Sequence, residues 1–359
     1  MMIKKLVTFE DLGFVQWGVL NEAEDGVYGA IALEEAFFTP LPETMLEFIR
    51  QGNDGLLALA DALEQNEKTG AVKAKPLDTI RIMAPIPHME RNIFCIGKNY
   101  TEHIAEFDKT AMPKPPKYPV IFTKATSSVI GPDDLIDPHT NVTSQVDYEG
   151  ELAVIIGKEG SDITVGEAMD HVYGFTILND VTARDLQANH VQWFHGKSLD
   201  TFCPIGPYIL LRDAAPDTFD IVTKVNNEVR QDGSTGEFIF TIPELIHTIS
   251  QGTTLFPGDI IATGTPSGVG VGFNPPRFLH SGDTGEITIP AIGEKSYGDP
   301  AFDLRASSPN TESPITYTVD DPTIARVDDG QVTLLKAGST TITASQDDAY
   351  KTLYGNYRG

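Results

Sequence analysis

Residues 147–156 read DYEGELAVII, and this stretch is the clearest indication of the fold in the central part of the chain. Its second half is continuously apolar, which is typical of a buried β-strand. Side chains two residues apart on a strand point to the same face, so Glu149 and Glu151 would project together, with Gly150 leaving room between them. Two adjacent carboxylates need a cation or an altered pKa, and hard oxygen ligands favour Mg²⁺, Mn²⁺ or Ca²⁺. The alternative is a solvated edge strand with both charges in water.

A third carboxylate follows the next apolar run, YGFTILND at residues 173–180. Asp180 ends this run, and a carboxylate at the tip of a buried strand is well placed to be a third metal ligand. Alternatively, Asp180 caps the N-terminus of a helix that begins near Ala183, because Asp is a favoured N-cap residue. The pattern alone leaves both interpretations open.

A histidine and a glutamate lie three residues apart in KNYTEHIAE, residues 98–106. On a helix, His103 and Glu106 would share a face. A carboxylate beside an imidazole orients the ring and raises its basicity, which suits general acid–base catalysis. The alternative is an ordinary surface helix with a His–Glu pair. The prolines of residues 113–116 mark a loop, which makes this region a candidate mobile lid.

The composition changes twice along the chain and predicts three segments. Residues 1–87 form a small α+β module, with helical spacing from about 41 to 67 that breaks near Gly52. Residues 88–293 contain short strands separated by Gly, Pro and Asp turns, with few helices. Residues 294–359 are rich in Ser, Thr and Asp and predict a small all-β module. We therefore expect a β-rich α+β fold and not a doubly wound sheet.

Further local patterns predict individual elements. FVQWGVL at residues 14–20 is strand-like, and Asn226-Asn227 fits the turn of a hairpin because Asn tolerates positive φ. A helix is expected after Thr241, with Pro243 in its first turn. GVGVG at residues 268–272 superficially suggests a dinucleotide-binding loop. The proline-containing sequence that follows it cannot open the required helix, so we reject that interpretation.

The charge of the chain excludes several classes of partner. The sequence has 26 Lys+Arg against 51 Asp+Glu, a net charge of −25, which repels nucleic acid and anionic lipid. The N-terminal residues lack the apolar region of a signal peptide, and no run approaches the roughly 18 apolar residues that span a bilayer. We expect a cytoplasmic protein. The two cysteines, Cys95 and Cys203, are too few for a disulfide framework and fit buried thiols.

Five segments, taken together and in order, resemble the fumarylacetoacetate hydrolase superfamily from about Arg91 to Gly293. They are NIFCIGKNYTEH, DYEGELAVIIGK, TILNDVTARDLQ, GKSLDTFCPIGP and GDIIATGTPSGVGVG. The resemblance implies a catalytic domain with a mixed β-roll or barrel. The N-terminal module, GKSLDT and GFNPPRFLHSGD make the chain most similar to a bacterial oxaloacetate decarboxylase branch, near the acylpyruvate hydrolases. Residues from about 297 to 350 resemble a bacterial Ig-like module of group 2.

The resemblance also implies roles for individual residues. The metal ligands for Mg²⁺ or Mn²⁺ would be Glu149, Glu151 and Asp180; the catalytic residues His103, Glu106 and Lys197; and the substrate-binding residues Lys98, Gln187 and Thr265. Lys98 stands where relatives often have Arg, so it offers a point charge in place of a bidentate fork. Arg184 and Asp185 are interpreted as an internal ion pair.

The implied reaction is cleavage of a C–C bond in a 2-oxo acid through a metal-bound enolate. Decarboxylation of oxaloacetate to pyruvate and CO₂ ranks first. Hydrolysis of an acylpyruvate of the fumarylpyruvate type and isomerisation of 2-hydroxyhepta-2,4-diene-1,7-dioate are alternatives. A non-catalytic binding or assembly scaffold is an alternative of another class. The partners implied are the small-molecule substrate and a second copy of the chain in a homodimer.

Overall fold

The computed structural model describes residues 3–107, 115–289, 302–303, 315–319, 321–328, 331–336 and 342–346. Its strands are β1 Lys5–Asp11, β2 Phe14–Leu20, β3 Gly26–Gly29, β4 Lys75–Pro76, β5 Arg81–Ile82, β6 Ile93–Gly97, β7 Val120–Lys124, β8 Val129–Ile130, β9 Val146–Asp147, β10 Gly150–Ile156, β11 Val172–Asn179, β12 Thr182–Ala183, β13 Cys203–Leu211, β14 Asp220–Val225, β15 Glu228–Ser234, β16 Ile260–Ala262, β17 Gly285–Thr288, β18 Phe302–Asp303, β19 Ile315–Val319, β20 Ala325–Asp328, β21 Gln331–Leu334 and β22 Ile342–Gln346. Its helices are α1 Ala30–Phe37, α2 Met45–Thr69, α3 Thr101–Phe107, α4 Arg184–Asn189, α5 Phe194–Lys197 and α6 Ile242–Ser250.

Twelve of the described strands form one mixed sheet. Ten of them follow the order β4-β3-β2-β1-β13-β11-β10-β16-β6-β7, while β5 pairs with β1 and β8 pairs with β13. The pairs β16–β6 and β13–β8 are parallel, and β10 is antiparallel to both of its neighbours. The predicted β-rich fold with some helices is confirmed in this mixed sheet.

Strand β10 lies inside the sheet and covers most of the DYEGELAVII stretch. All seven of its residues are buried, as expected for a continuous apolar run between two neighbouring strands. Its register with β11 sets Gly150 opposite Asn179 and Glu151 opposite Leu178. This register brings the end of β11 beside the two glutamates, and the amide of Asp180 donates to the carbonyl of Glu149 at 2.8 Å.

The described residues divide into two compact units. The first holds those up to 215 together with 221–232 and 239–289, and the second holds the remainder. Strand β1 pairs with β13, and one apolar core includes Leu6 as well as Cys95 and Ile205. The N-terminal residues therefore share a sheet and a core with the central segment. The three-segment division stays a prediction, and its boundary at 293 lies outside the described residues.

In the second unit, β18-β21-β20 form one small sheet and β19-β22 form another. The strands predicted at 315–319 and from 331 are confirmed. The Ig-like interpretation stays a prediction, because many residues from 294 to 359 lie outside the described ranges.

Most local patterns are confirmed in the helices and turns. Helix α2 contains the predicted break at Gly52, whose φ of 54° is not helical. Helix α6 begins behind a capping box of Thr241 and Glu244. Asn226 and Asn227 take positive φ between β14 and β15. No helix in the described ranges combines the length and apolar character needed to cross a membrane.

Candidate functional site

The three predicted metal ligands converge. Glu149, Glu151 and Asp180 each offer one carboxylate oxygen, and these oxygens all lie within 4.8 Å of one another. All three side chains are buried, so the solvated-edge interpretation of the two glutamates is wrong. The cap interpretation of Asp180 is also wrong, because the N-cap of α4 is Ala183. Buried carboxylate oxygens at this spacing suit a hard divalent cation, so these residues fit the predicted Mg²⁺ or Mn²⁺.

Backbone contacts hold the cluster in place from several directions. The amide of Gly150 donates to Gln231 Oε1 at 2.9 Å, and Glu151 Oε2 accepts from the amide of Gly264 at 2.8 Å. A Cβ at Gly150 would lie 2.3 Å from Thr223 Oγ1, so only glycine fits between the glutamates. The main chain that carries both glutamates is therefore fixed in position.

Two buried lysines neutralise part of the negative charge. Lys197 Nζ lies 2.7 Å from Glu149 Oε2 and 2.6 Å from Asp180 Oδ2. Lys124 Nζ donates to Asp180 Oδ1 at 2.7 Å, to the carbonyl of Val181 at 3.1 Å and to the carbonyl of Lys197. Our sequence reasoning missed Lys124. The sequence pattern that indicates Lys124 is a lysine at the end of an apolar strand, because a charge buried there needs a partner of opposite charge.

A third cation, Arg184, joins the cluster to Asp147. Its Nη1 lies 2.7 Å from Glu149 Oε1, and its Nε donates to Asp147 Oδ2 at 2.8 Å. The predicted Arg184–Asp185 ion pair is wrong. Asp185 lies in the first turn of α4 and accepts from Thr143 Oγ1 and the amide of Ser144, because adjacent side chains on a helix point in different directions.

The two glutamates have opposite pKa shifts in the metal-free protein. Burial would raise the pKa of Glu149, but the positive charges of Lys197 and Arg184 outweigh it and lower the pKa to about 2. Burial raises the pKa of Glu151 well above its usual value, and the charges of Asp180 and Glu149 add to this. A divalent cation would favour the ionised form of both.

The predicted dyad is present on α3. His103 Nδ1 and Glu106 Oε2 lie 2.8 Å apart, and Glu106 Oε1 accepts from the amide of Gly268 at 2.7 Å. His103 is 8% exposed, so the interpretation as an ordinary surface pair is wrong. His103 is also among the groups that lower the pKa of Glu149, so the ring is near the cluster. The predicted lid includes residues 108–114, which lie outside the described ranges.

The predicted substrate-binding residues have different surroundings. Thr265 is buried, donates to the carbonyl of Gly150 at 3.0 Å and accepts from Gln231 Nε2 at 2.7 Å. Gln187 Oε1 accepts from Arg184 Nη1 at 3.1 Å. Lys98 is exposed and has a left-handed φ of 61° just before α3. Thr265 and Gln187 thus contact the framework of the carboxylate cluster.

Comparison with known proteins gives a family. Residues 92–296 match the family described as fumarylacetoacetate (FAA) hydrolase C-terminal. Oxaloacetate tautomerase YisK of Bacillus subtilis (strain 168) is 49% identical over 263 residues, which are 71% of this chain and 86% of that protein.

Two solved structures extend the comparison. Fumarylacetoacetate hydrolase from the psychrophilic Exiguobacterium antarcticum is 40% identical, with a TM-score of 0.66 over 81% of this chain and 96% of that one. Maleylpyruvate hydrolase from Sphingobium sp. SYK-6, solved with manganese(II) and pyruvate, is 30% identical, with a TM-score of 0.61 over 79% and 94%.

Proposed function

This chain belongs to the fumarylacetoacetate hydrolase family, and we propose that it is a divalent-metal-dependent enzyme that interconverts the enol and keto forms of oxaloacetate. The observation that carries the proposal is the buried carboxylate cluster with a His–Glu pair beside it. The relative at 49% identity, whose name gives this reaction and substrate, supports the choice. The scaffold alternative is disfavoured, because a buried carboxylate cluster beside a His–Glu pair is a costly arrangement that a purely structural role does not require.

Glu149, Glu151 and Asp180 would hold Mg²⁺ or Mn²⁺, which supplies Lewis-acid stabilisation of negative charge on a substrate oxygen. Lys197 adds a positive charge at the same place, since its ammonium already contacts two of the three carboxylates. Both features suit a substrate that carries two carboxylates and becomes enolic during the reaction. Homodimerisation and a cytoplasmic location stay predictions.

His103 is assigned to proton transfer. Glu106 takes the Nδ1–H of the ring, so Nε2 is the ring nitrogen assigned to carry a proton to or from the substrate. Ketonisation moves one proton from the C2 hydroxyl to C3, and we assign both halves of the transfer to His103, whose Nε2 accepts the hydroxyl proton and then donates it to C3. Glu106 keeps its orientation because the Gly268 amide holds its other oxygen.

The remaining predicted residues are assigned to binding. Lys98 offers an exposed ammonium for a substrate carboxylate, and the hydroxyl of Thr265 and the amide of Gln187 offer neutral polar contacts. Because an ammonium is a point charge, Lys98 would attract a carboxylate without fixing its plane.

A second candidate is cleavage of a C–C bond in a 2-oxo acid. The His103–Glu106 pair that favours it can activate water as well as move a proton, and the maleylpyruvate hydrolase at 30% identity supports hydrolysis. Decarboxylation of oxaloacetate, ranked first from the sequence, would act on the same proposed substrate but break the C–C bond to its far carboxylate. Isomerisation of the dienedioate is the further alternative.

One assay separates these reactions. The chelator-treated chain is reloaded with Mn²⁺ and given enol-oxaloacetate, while the enol absorbance, pyruvate and CO₂ are followed against Mn²⁺ alone. We expect metal-dependent loss of the enol absorbance without equivalent pyruvate. Glu149→Gln should lose this activity and Glu159→Gln, an exposed glutamate, should keep it. Enol decay at the Mn²⁺-only rate would reject the proposal, and pyruvate with equal CO₂ would assign decarboxylation instead. Turnover of an acylpyruvate would assign hydrolysis.

A further inference from the structure

The glycine-rich segment at residues 268–272 binds two carboxylates through its backbone. The amide of Gly268 donates to Glu106 Oε1 at 2.7 Å. The amide of Gly270 donates to Asp147 Oδ1 at 2.7 Å, and the amide of Val271 donates to Asp147 Oδ2 at 3.0 Å. One short stretch of main chain thus contacts the His–Glu pair at one end and a buried aspartate at the other.

The carboxylates approach this segment so closely that side chains are excluded. A Cβ at Gly270 would lie 2.3 Å from the carbonyl oxygen of Arg277 and 2.5 Å from Asp147 Oδ1, and one at Gly272 would lie 2.4 Å from Glu106 Oε1. Glycine is therefore required for the approach, which is a physical reason for the GVGVG pattern. A dinucleotide-binding loop would not explain why Gly270 and Gly272 contact these carboxylates.

Asp147 continues the connection to the metal cluster. It is fully buried, and its Oδ2 also accepts from Arg184 Nε at 2.8 Å. The other end of that guanidinium, Nη1, lies 2.7 Å from Glu149 Oε1. A continuous series of hydrogen bonds therefore runs from Glu106 through the glycine-rich segment, Asp147 and Arg184 to Glu149.

We propose that Asp147 is a positioning residue that holds the His103–Glu106 pair and the metal ligand Glu149 in one geometry. It fixes the segment that orients Glu106. It also shares Arg184 with Glu149, so that Arg184 neutralises Glu149 only in part and leaves this carboxylate available to a cation. The kinetic part of this inference rests on the proposed function, and the metal-binding part does not.

Asp147→Asn tests both parts, because Asn keeps the size of the side chain and removes its charge. Without that charge, Arg184 pairs more strongly with Glu149. Mn²⁺ affinity, measured from the electron paramagnetic resonance signal of free Mn²⁺, should fall about 10-fold, as for other partners of metal ligands. At saturating Mn²⁺, kcat should fall about 10- to 100-fold.

The same substitution made in the His103→Ala variant shows whether Asp147 acts through the His103–Glu106 pair. If it does, Asp147→Asn should change kcat by less than about 3-fold once His103→Ala is present, because residues that act as a unit are not additive. A purely local structural role would give the same factor in both backgrounds and would overturn the proposal. Unchanged Mn²⁺ affinity in Asp147→Asn would also overturn it.

Two further variants complete the experiment. Asp185→Asn is the matched control, since Asp185 lies beside Arg184 in sequence but bonds Thr143 and Ser144, and both readouts should stay at wild-type values. If Asp147→Asn does not fold, Val271→Pro removes one amide donor to Asp147, and wild-type readouts in that variant would overturn the proposal. Absence of wild-type oxaloacetate turnover would reject the proposed function, while the Mn²⁺ measurement would still decide the role of Asp147.

Discussion

The carboxylate cluster lies where β10 begins and β11 ends, whereas the His103–Glu106 pair lies on the short helix α3. The cluster depends on cations from distant positions, namely Lys124, Arg184 and Lys197. The dyad depends on a spacing of three residues and on a remote backbone amide, that of Gly268.

This difference explains how one site can both bind a cation and transfer a proton. Groups that hold a cation must be fixed in position, so they are buried among ion pairs and hydrogen bonds. A histidine that carries a proton needs an oriented ring, and the contact of His103 Nδ1 with Glu106 supplies that orientation. The comparison predicts that metal binding and turnover can be lost separately.

The largest expected effect is at Asp180, which both buried lysines contact. In Asp180→Asn, Lys124 and Lys197 lose a charged partner, and the metal-free chain should lose about 3–5 kcal/mol in its free energy of unfolding. Mn²⁺ binding should be lost as well, with turnover reduced by at least about 10³-fold if the ion supplies several kcal/mol. Urea unfolding and Mn²⁺ titration measure the two losses.

The control for this variant is Asp213→Asn, because the Asp213 side chain is 87% exposed and pairs with its neighbour Arg212. Its expected change is within about 0.5 kcal/mol. Equal stability of the two variants would mean that the buried lysines do not depend on Asp180, and the contrast between cluster and dyad would fail.

Sequence periodicity predicted those parts of the site that depend on local spacing. Glu149 and Glu151 follow from the two-residue period of a strand, and His103 and Glu106 follow from a helical turn. Asp180 was one of two open interpretations, which only the pairing of β10 with β11 decides. Gln187, Lys197 and Thr265 came only from the family resemblance.

What the sequence could not predict are contacts between distant segments. Lys124 lies 56 residues before Asp180, and nothing local to either residue reveals the pair. The sequence predicts a pair of Arg184 with its neighbour Asp185, whereas the folded chain brings Asp147 and Glu149 to Arg184. Partner choice inside a core is a property of the tertiary structure.

A smaller effect is expected at His103, and it should separate the two regions. His103→Ala should reduce kcat about 10²- to 10⁴-fold, the usual contribution of a general acid or base, with Mn²⁺ affinity within about 3-fold of wild type. His280→Ala is the control, since its side chain is 81% exposed. If His103→Ala lost Mn²⁺ affinity as Asp180→Asn does, the dyad would belong to the metal-holding part, and the comparison would need revision.

The smallest effect is a difference in pH dependence between the two glutamates of the cluster. The pKa of Glu151 in the folded, metal-free protein is raised, so its contribution to stability is present below about pH 4.5 and is lost as the pH rises through the folded pKa. The pKa of Glu149 is lowered to about 2, so its contribution is present above about pH 4.5 and is lost as the pH falls towards 2.

Glutamine substitutions should reveal these opposite signs in urea unfolding with a chelator, from pH 3 to pH 8. Glu151→Gln imitates the neutral acid, so wild type should lose stability relative to this variant as the pH rises. Glu149→Gln leaves Lys197 and Arg184 with one carboxylate fewer, so its deficit should be greatest near neutral pH and shrink on acidification. Parallel curves for all three proteins would show that the two carboxylates have the same environment, against the contacts that distinguish them.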